Sequence, residues 1–147
     1  MERLIGLDVG DKNIGIAISD GLGITAQALS TLKRTNIKTD IDAIKKILDE
    51  YHIKEIIVGL PKNMDGSIGV QANKTIHFSE HLKKNFDVKI IFLDERLTTV
   101  MANKALLEGD LSRKKRKKRI DKIAAQLILQ NYLDRKDFLS KQEENED

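Results

Sequence analysis

Between Leu4 and Ser19 apolar side chains recur at every second position in two runs, separated by the turn-like cluster Gly10-Asp11-Lys12-Asn13. That pattern predicts a β-hairpin. Pairing Val9 with Ile14 sets Leu7 against Ile16 and Ile5 against Ile18, which makes one face continuously aliphatic. The opposite face carries Gly6, Asp8, Gly15 and Ala17, and a one-residue slip would preserve neither face. Small residues around an acid leave room for a metal, a phosphate or a helix to come close. An acid inside a buried strand also needs a partner. The plainer alternative has the glycines thinning the sheet for helix packing, with Asp8 solvated near the turn.

The rest of the chain alternates between the two periods. Asp20-Gly21-Leu22-Gly23 supplies a turn, and Ile24 to Leu32 reads as a third strand. Thr39 with Asp42 resembles a capping box, and Ile41, Ile44, Ile47, Leu48 and Tyr51 give a helix over Asp40 to Tyr51. Glu55 to Leu60 is a short unbroken apolar run, typical of a central parallel strand, and Pro61 ends it. A polar, glycine-bearing loop from Lys62 to Gly69 leads to a helix over Val70 to Lys84, with Thr75, Phe78 and Leu82 on its core face. Val88 to Leu93 repeats the buried-strand signature. Thr98 and Thr99 cap a short helix that runs through Leu107 and stops at Gly109. Ile120 to Leu133, carrying Ala124, Ala125, Ile128 and Tyr132, is the last helix.

Parallel strands need helical crossovers, so this order predicts an α/β fold. Its sheet is mixed and five-stranded, with strands 1–3 antiparallel, strands 4 and 5 parallel, and helices on both faces. Without an internal repeat or linker, residues 1–138 are expected to form one domain, and the acidic stretch 139–147 a disordered tail.

Composition narrows the chemistry. A chain of 147 residues can bury a sizeable core. No apolar run reaches membrane-spanning length and no signal-peptide pattern opens the chain, so a cytoplasmic location without membrane contact is expected. The absence of cysteine excludes disulfides and thiolate chemistry. Only His52, His77 and His81 could supply nitrogen ligands, which disfavours zinc, and the spacing of His77 and His81 reads as a solvated helix flank.

Carboxylates remain. Sites in such sheets form beyond the carboxyl ends of the parallel strands, where Asp8, the loop after Gly59 and Asp94-Glu95 arrive. Asp121 opens the last helix, whose Ala124 and Ala125 would let it lie close to the small-residue face. Asp8, Glu95 and Asp121 together make a hard-oxygen site suited to Mg²⁺ or Mn²⁺. The cation offsets their mutual repulsion, and the matching chemistry is phosphodiester hydrolysis. Asp94 competes with Glu95, because neighbours on an extended segment face opposite ways. Alternatively, Glu95 pairs with Arg96 and Asp121 is a helix-start charge.

The net charge of +3 conceals an uneven distribution: Arg113 to Arg119 is an unbroken basic run. It has the electrostatic footprint of a nucleic-acid partner, with a solvated loop as the plain alternative. At 4% aromatic content, stacking platforms are poorly supplied, so backbone contact is the expected mode.

Four blocks carry a family resemblance: GLDVGDKNIGIAISD, VGLPKNMDGSIG, DER followed by LTT, and IDKIAAQLILQNYL. In this order, from Gly6 to Leu133, they resemble the YqgF family. Its members are described as Holliday junction resolvases or pre-16S rRNA nucleases with a ribonuclease H-like fold. The resemblance implies an Mg²⁺- or Mn²⁺-dependent endonuclease with Asp8, Glu95 and Asp121 as catalytic metal ligands, in a bacterial cytoplasm. Lys12, Lys62, Asn63, Arg96, Arg113, Lys114, Arg116 and Lys117 are its expected nucleic-acid contacts. Precursor rRNA or branched DNA would be the partner, with ribosomal components, and the chain a monomer or weak homodimer. Families of this fold often carry a fourth acid on the last helix, whereas Asp121 has none at i+3 or i+4.

Two other readings stand beside this one. An ATPase or kinase of the actin and sugar-kinase type opens with a similar hairpin, but it needs two lobes and a second copy of the motif. A non-catalytic RNA- or ribosome-binding module with a vestigial acidic site is distinguished only by an assay for metal-dependent cleavage.

Overall fold

In the computed structural model, residues 3–95 and 123–136 are described. The alternation at the N-terminus produces β1 (Ile5–Val9) and β2 (Asn13–Ser19). Their antiparallel register is the one the pattern predicts, with Ile5 opposite Ile18, Leu7 opposite Ile16 and Val9 opposite Ile14.

β3 (Ala26–Lys33) continues the meander but starts two residues later than expected. The Asp20 carboxylate accepts from the Ile24 amide at 2.9 Å and the Thr25 amide at 3.3 Å, keeping both residues in the turn.

α1 (Ile37–Tyr51) also differs at its start: Asn36 is the N-cap, not Thr39, and its Oδ1 accepts from the Thr39 amide at 2.9 Å. Asp40, only 1% exposed, explains the shift. It turns back to accept from Arg34 Nε at 3.2 Å and the Thr35 amide at 3.1 Å, which requires the helix to begin before it. The helix ends at left-handed His52 (φ 55°), after which the Ile53 amide donates to the Leu48 carbonyl at 2.9 Å.

β4 (Glu55–Leu60), α2 (Val70–Asn85) and β5 (Lys89–Asp94) follow. Sheet order is β3-β2-β1-β4-β5, with β4 parallel to both β1 and β5. β1 therefore sits at the centre. β4 is fully enclosed at Ile56, Ile57 and Val58. β5 is not the buried strand its apolar run suggests: it lies at the sheet edge, with Lys89 and Phe92 exposed and Ile90 and Ile91 half-buried. An edge strand packs on fewer sides than an inner one, whatever its composition.

The two sheet faces bury different partners. Ile5, Leu7, Val9, Ile14, Ile16 and Ile18 pack with Ile41, Ile44 and Leu48 of α1 and with Phe78 and Leu82 of α2. Fully burying such a side chain contributes roughly 1.5–3 kcal/mol. Residues 123–136 are helical (α3) and cover the other face, where Ala125, Ile128 and Leu129 meet Ala17, Ile57 and Leu93. The small-residue face is what admits α3: a Cβ on Gly6 would stand 2.8 Å from Leu129 Cβ and 3.0 Å from the Ala125 carbonyl oxygen.

The fold is thus the α/β, mixed five-stranded arrangement expected, with helices on both faces. Among the described residues no helix is long and apolar enough to cross a membrane. The short helix expected over Thr98 to Leu107, the start of the last helix and the stretch 139–147 lie outside the described residues.

Candidate active site

Asp8 occupies the next-to-last position of β1, on the face that α3 covers. In the parallel register Leu7 lies beside Val58, so Asp8 is followed laterally by Gly59 of β4. One strand further on, Gly59 lies beside Leu93 and Leu60 beside Asp94. Glu95 leaves β5 at this level, and its amide donates to the Leu60 carbonyl at 3.3 Å. Its side chain, 5% exposed, reaches back across β4 past Gly59 and interacts with Asp8.

Gly59 makes that reach possible. A Cβ there would stand 2.5 Å from Glu95 Oε2 and would also run into Ile128 Cδ1. In the sequence Gly59 stands out only as a member of an apolar run. The available signal is one glycine among Ile56, Ile57, Val58 and Leu60, which marks a close approach without naming what approaches.

The electrostatics of the pair follow from its enclosure. Burial pushes the Asp8 carboxyl above the usual carboxylate range, partly offset by the hydrogen bond with Glu95. Glu95 is pushed up to about 9, first by burial, then by the charge of Asp8, their hydrogen bond and the charge of Asp94. Both shifts favour a proton held by the pair over two ionised carboxylates side by side. Glu95 Oε2 is left buried without a hydrogen-bond partner among the described residues. Such an atom costs free energy unless a donor or a cation meets it.

Between the two competing acids at the end of β5, Glu95 meets Asp8, whereas half-buried Asp94 stays in register with Leu60. Asp121 lies outside the described residues, as do Arg96, Arg113, Lys114, Arg116 and Lys117. Among the described residues no group of three or more His, Cys, Asp or Glu side chains could hold a metal ion. Two of the three expected acids are thus seen together.

Lys12, exposed in the turn after β1, and half-buried Lys62, after β4, lie at the same end of the sheet as the acid pair. Asn63 is turned into its own loop, where Nδ2 donates to Ser67 Oγ at 3.0 Å. The turn beyond Asp8 is anchored from below. Arg34 Nη1 donates to the Gly10 carbonyl at 2.9 Å while Arg34 Nε is held by buried Asp40.

Comparison with known proteins bears on this geometry. A family model described as "RuvX: Holliday junction resolvase" matches residues 2–135. A protein of Clostridium tetani named "Putative pre-16S rRNA nuclease" is 58% identical over 132 residues, covering 90% of this chain and 96% of its own. A Thermoanaerobacter pseudethanolicus protein of the same name is 59% identical over 133 residues, with the same coverage of 90% and 96%. Among solved structures, fowlpox virus resolvase in complex with Holliday junction DNA superposes with a TM-score of 0.51 at 18% identity, covering 90% of this chain and 97% of that one. The large terminase nuclease of thermophilic phage G20c gives 0.52 at 14% identity, covering 87% and 80%. At those identities the likeness is one of fold.

Proposed function

Because the chain belongs to the RuvX family of Holliday junction resolvases, the YqgF family of the sequence resemblance, we propose that it is a metal-dependent endonuclease. In this reading Asp8, Glu95 and Asp121 hold Mg²⁺ or Mn²⁺ against a phosphodiester of structured nucleic acid. The observation that carries it is the enclosed Asp8–Glu95 pair with Glu95 Oε2 unpartnered among the described residues. A hard divalent cation fits this donor set: it meets the orphan oxygen, replaces the shared proton and neutralises two acids that burial otherwise keeps from ionising together. When bound, such a cation supplies charge that activates water and stabilises the leaving oxygen.

The chain's own residues do the rest. Asp8 is fixed by the central strand and by the Arg34-anchored turn beyond it, so its carboxylate is held ready. Gly59 keeps the space through which Glu95 reaches it. Lys12 and Lys62 add positive charge at the same end of the sheet, where a phosphate backbone would lie, and Arg96, Arg113, Lys114, Arg116 and Lys117 extend that attraction.

Precursor 16S rRNA is the favoured substrate, in a cytoplasmic setting. Relatives at 58–59% identity carry that name, whereas the fowlpox resolvase solved with junction DNA is only 18% identical. Purified protein tests this directly on RNA spanning the immature 16S 5′ end beside a DNA four-way junction, each with Mg²⁺ and with EDTA. Metal-dependent cleavage of the RNA, lost in Asp8→Asn, is expected. Cleavage of the junction alone would move the substrate to branched DNA. No cleavage of either, with binding retained, would favour the non-catalytic module.

A further inference from the structure

Six large apolar side chains are well exposed among the described residues, and three belong to one short stretch. Met64 is 82% exposed, Ile68 45% and Val70 73%, on the loop between β4 and α2 and the first residue of that helix. The loop is built inside out. Several of its polar groups bond within it: Asp65 Oδ1 accepts from the Ser67 amide at 2.9 Å and from Ser67 Oγ at 2.6 Å. The Asn63 amide donates to the Ser67 carbonyl at 3.0 Å, and the Gly66 amide to the Asn63 carbonyl at 2.8 Å. Gly66 takes a positive φ of 88°, and a Cβ on Gly69 would stand 2.8 Å from Asn63 Oδ1. These bonds hold the loop together, and Met64, Ile68 and Val70 stand exposed on it.

Both ends of the loop are tied to the acid pair. At its start the Leu60 carbonyl accepts from the amide of Glu95 at 3.3 Å. At its end Gln71 Nε2 reaches the carbonyl of Val9, the neighbour of Asp8, at 3.5 Å. An ion pair between Lys74 and Asp11, at 3.3 Å, adds a second link from α2 to the turn beyond β1. The segment that carries the apolar surface is therefore held at both ends to the strands bearing the acids, which lowers the entropy cost of using it.

We infer that Met64, Ile68 and Val70 form a ridge that packs against nucleobases left unpaired or unstacked beside the cleaved phosphodiester. The inference rests on the nuclease reading and deepens it. Phosphates are bound by donors and cations, and these three side chains offer neither. Bases inside a continuous duplex hide their apolar faces in the stack. Bases at a bulge, branch or strand end expose them, and aliphatic side chains serve as wedges at such steps. Lys62 within the loop and Lys12 across from it supply the positive charge that a nucleic acid requires, which an apolar protein partner would not. The ridge would thus direct the enzyme to interruptions in helical structure.

The test is binding in EDTA, where no cleavage occurs. The probe is a hairpin carrying 2-aminopurine in a single-nucleotide bulge, compared with its fully paired counterpart, in both RNA and DNA. Wild-type protein is expected to prefer the bulged form and to change the probe's fluorescence. The triple variant Met64→Ser/Ile68→Ser/Val70→Ser should bind the bulged form about tenfold more weakly and lose the fluorescence change. Its affinity for the paired form and its salt slope should stay as in wild type. Met64→Ser alone, at the most exposed position, should show a smaller loss of the same kind and guards against misfolding of the triple variant. Unchanged affinity and fluorescence in the variants would overturn the inference while leaving the nuclease reading intact, and so would equal weakening on both forms. Wild-type protein that binds neither form would overturn both.

Discussion

Gly59 and Glu95 share one space: the carboxyl of Glu95 lies where a side chain on residue 59 would begin, 2.5 Å from a Cβ built there. Gly59→Ala should therefore displace Glu95 from Asp8 and lower turnover by about 100-fold, the scale expected for an ångström of misplacement. The same methyl runs into Ile128 Cδ1, so thermal stability should fall as well. Adding Ile128→Val removes the apolar overlap. In the double variant, melting temperature should recover while turnover does not. Recovery of both would mean that Gly59 serves α3 packing rather than the acid pair.

Removing one ligand charge is the second test. Asp8→Asn is nearly isosteric, so the fold should persist while turnover drops by about 100-fold or more. Wild-type cleavage should require Mg²⁺ or Mn²⁺, vanish in EDTA and be poorly supported by Ca²⁺, whose looser coordination misplaces water. Robust cleavage in excess chelator would remove the metal from the mechanism.

Glu95 gives a third, through pH. Its pKa in the fold is raised from 4.5 to about 9, so its contribution to stability is complete below 4.5 and is lost as pH rises toward 9. Asp8 is shifted in the same direction. Melting temperature of the metal-free protein should therefore decline across that window. Glu95→Gln cannot ionise and should flatten the decline, making the variant more stable than wild type at the alkaline end. Added Mg²⁺ should also oppose the loss, because it favours the ionised pair. A wild-type melting temperature that rises with pH over this range would contradict the assignment.

Much of this arrangement was legible in the residues. The hairpin register followed from strict alternation, because only one pairing keeps an aliphatic face opposite a face of Gly6, Asp8, Gly15 and Ala17. The choice of Glu95 over Asp94 was not legible. It depends on a side chain crossing a neighbouring strand, and strand order is a long-range property. The true cap of α1 was hidden because Thr39 and Asp42 satisfied the same local pattern as Asn36, and the buried bonds of Asp40 decided between them. β5 resembled an inner strand because an apolar run does not record how many sides of it are covered.

The basic run supplies the fourth test, of binding apart from chemistry. Changing Arg113, Lys114, Arg116 and Lys117 to Gln should weaken binding to all sequences. It should also reduce the salt dependence by roughly three to four units in the log–log slope, about one for each phosphate no longer neutralised. Turnover at saturating substrate should change much less. Unchanged affinity and slope would make the run a solvated loop and move the search for the binding surface to Lys12, Lys62 and Arg96.

The order of strands has a consequence for the timing of synthesis. Asp8 sits on the central strand, within a meander whose three strands are all translated early. Its partner Glu95 follows the last strand to be added, at the far edge of the sheet. A domain folds as a unit, and its chain emerges from the ribosome N-terminus first. A nascent chain thus carries Asp8 well before Glu95, and with it the acid pair, can be in place. On the proposed reading the acid pair is assembled only when β5 docks, so a chain still lacking that strand has no site with which to cut.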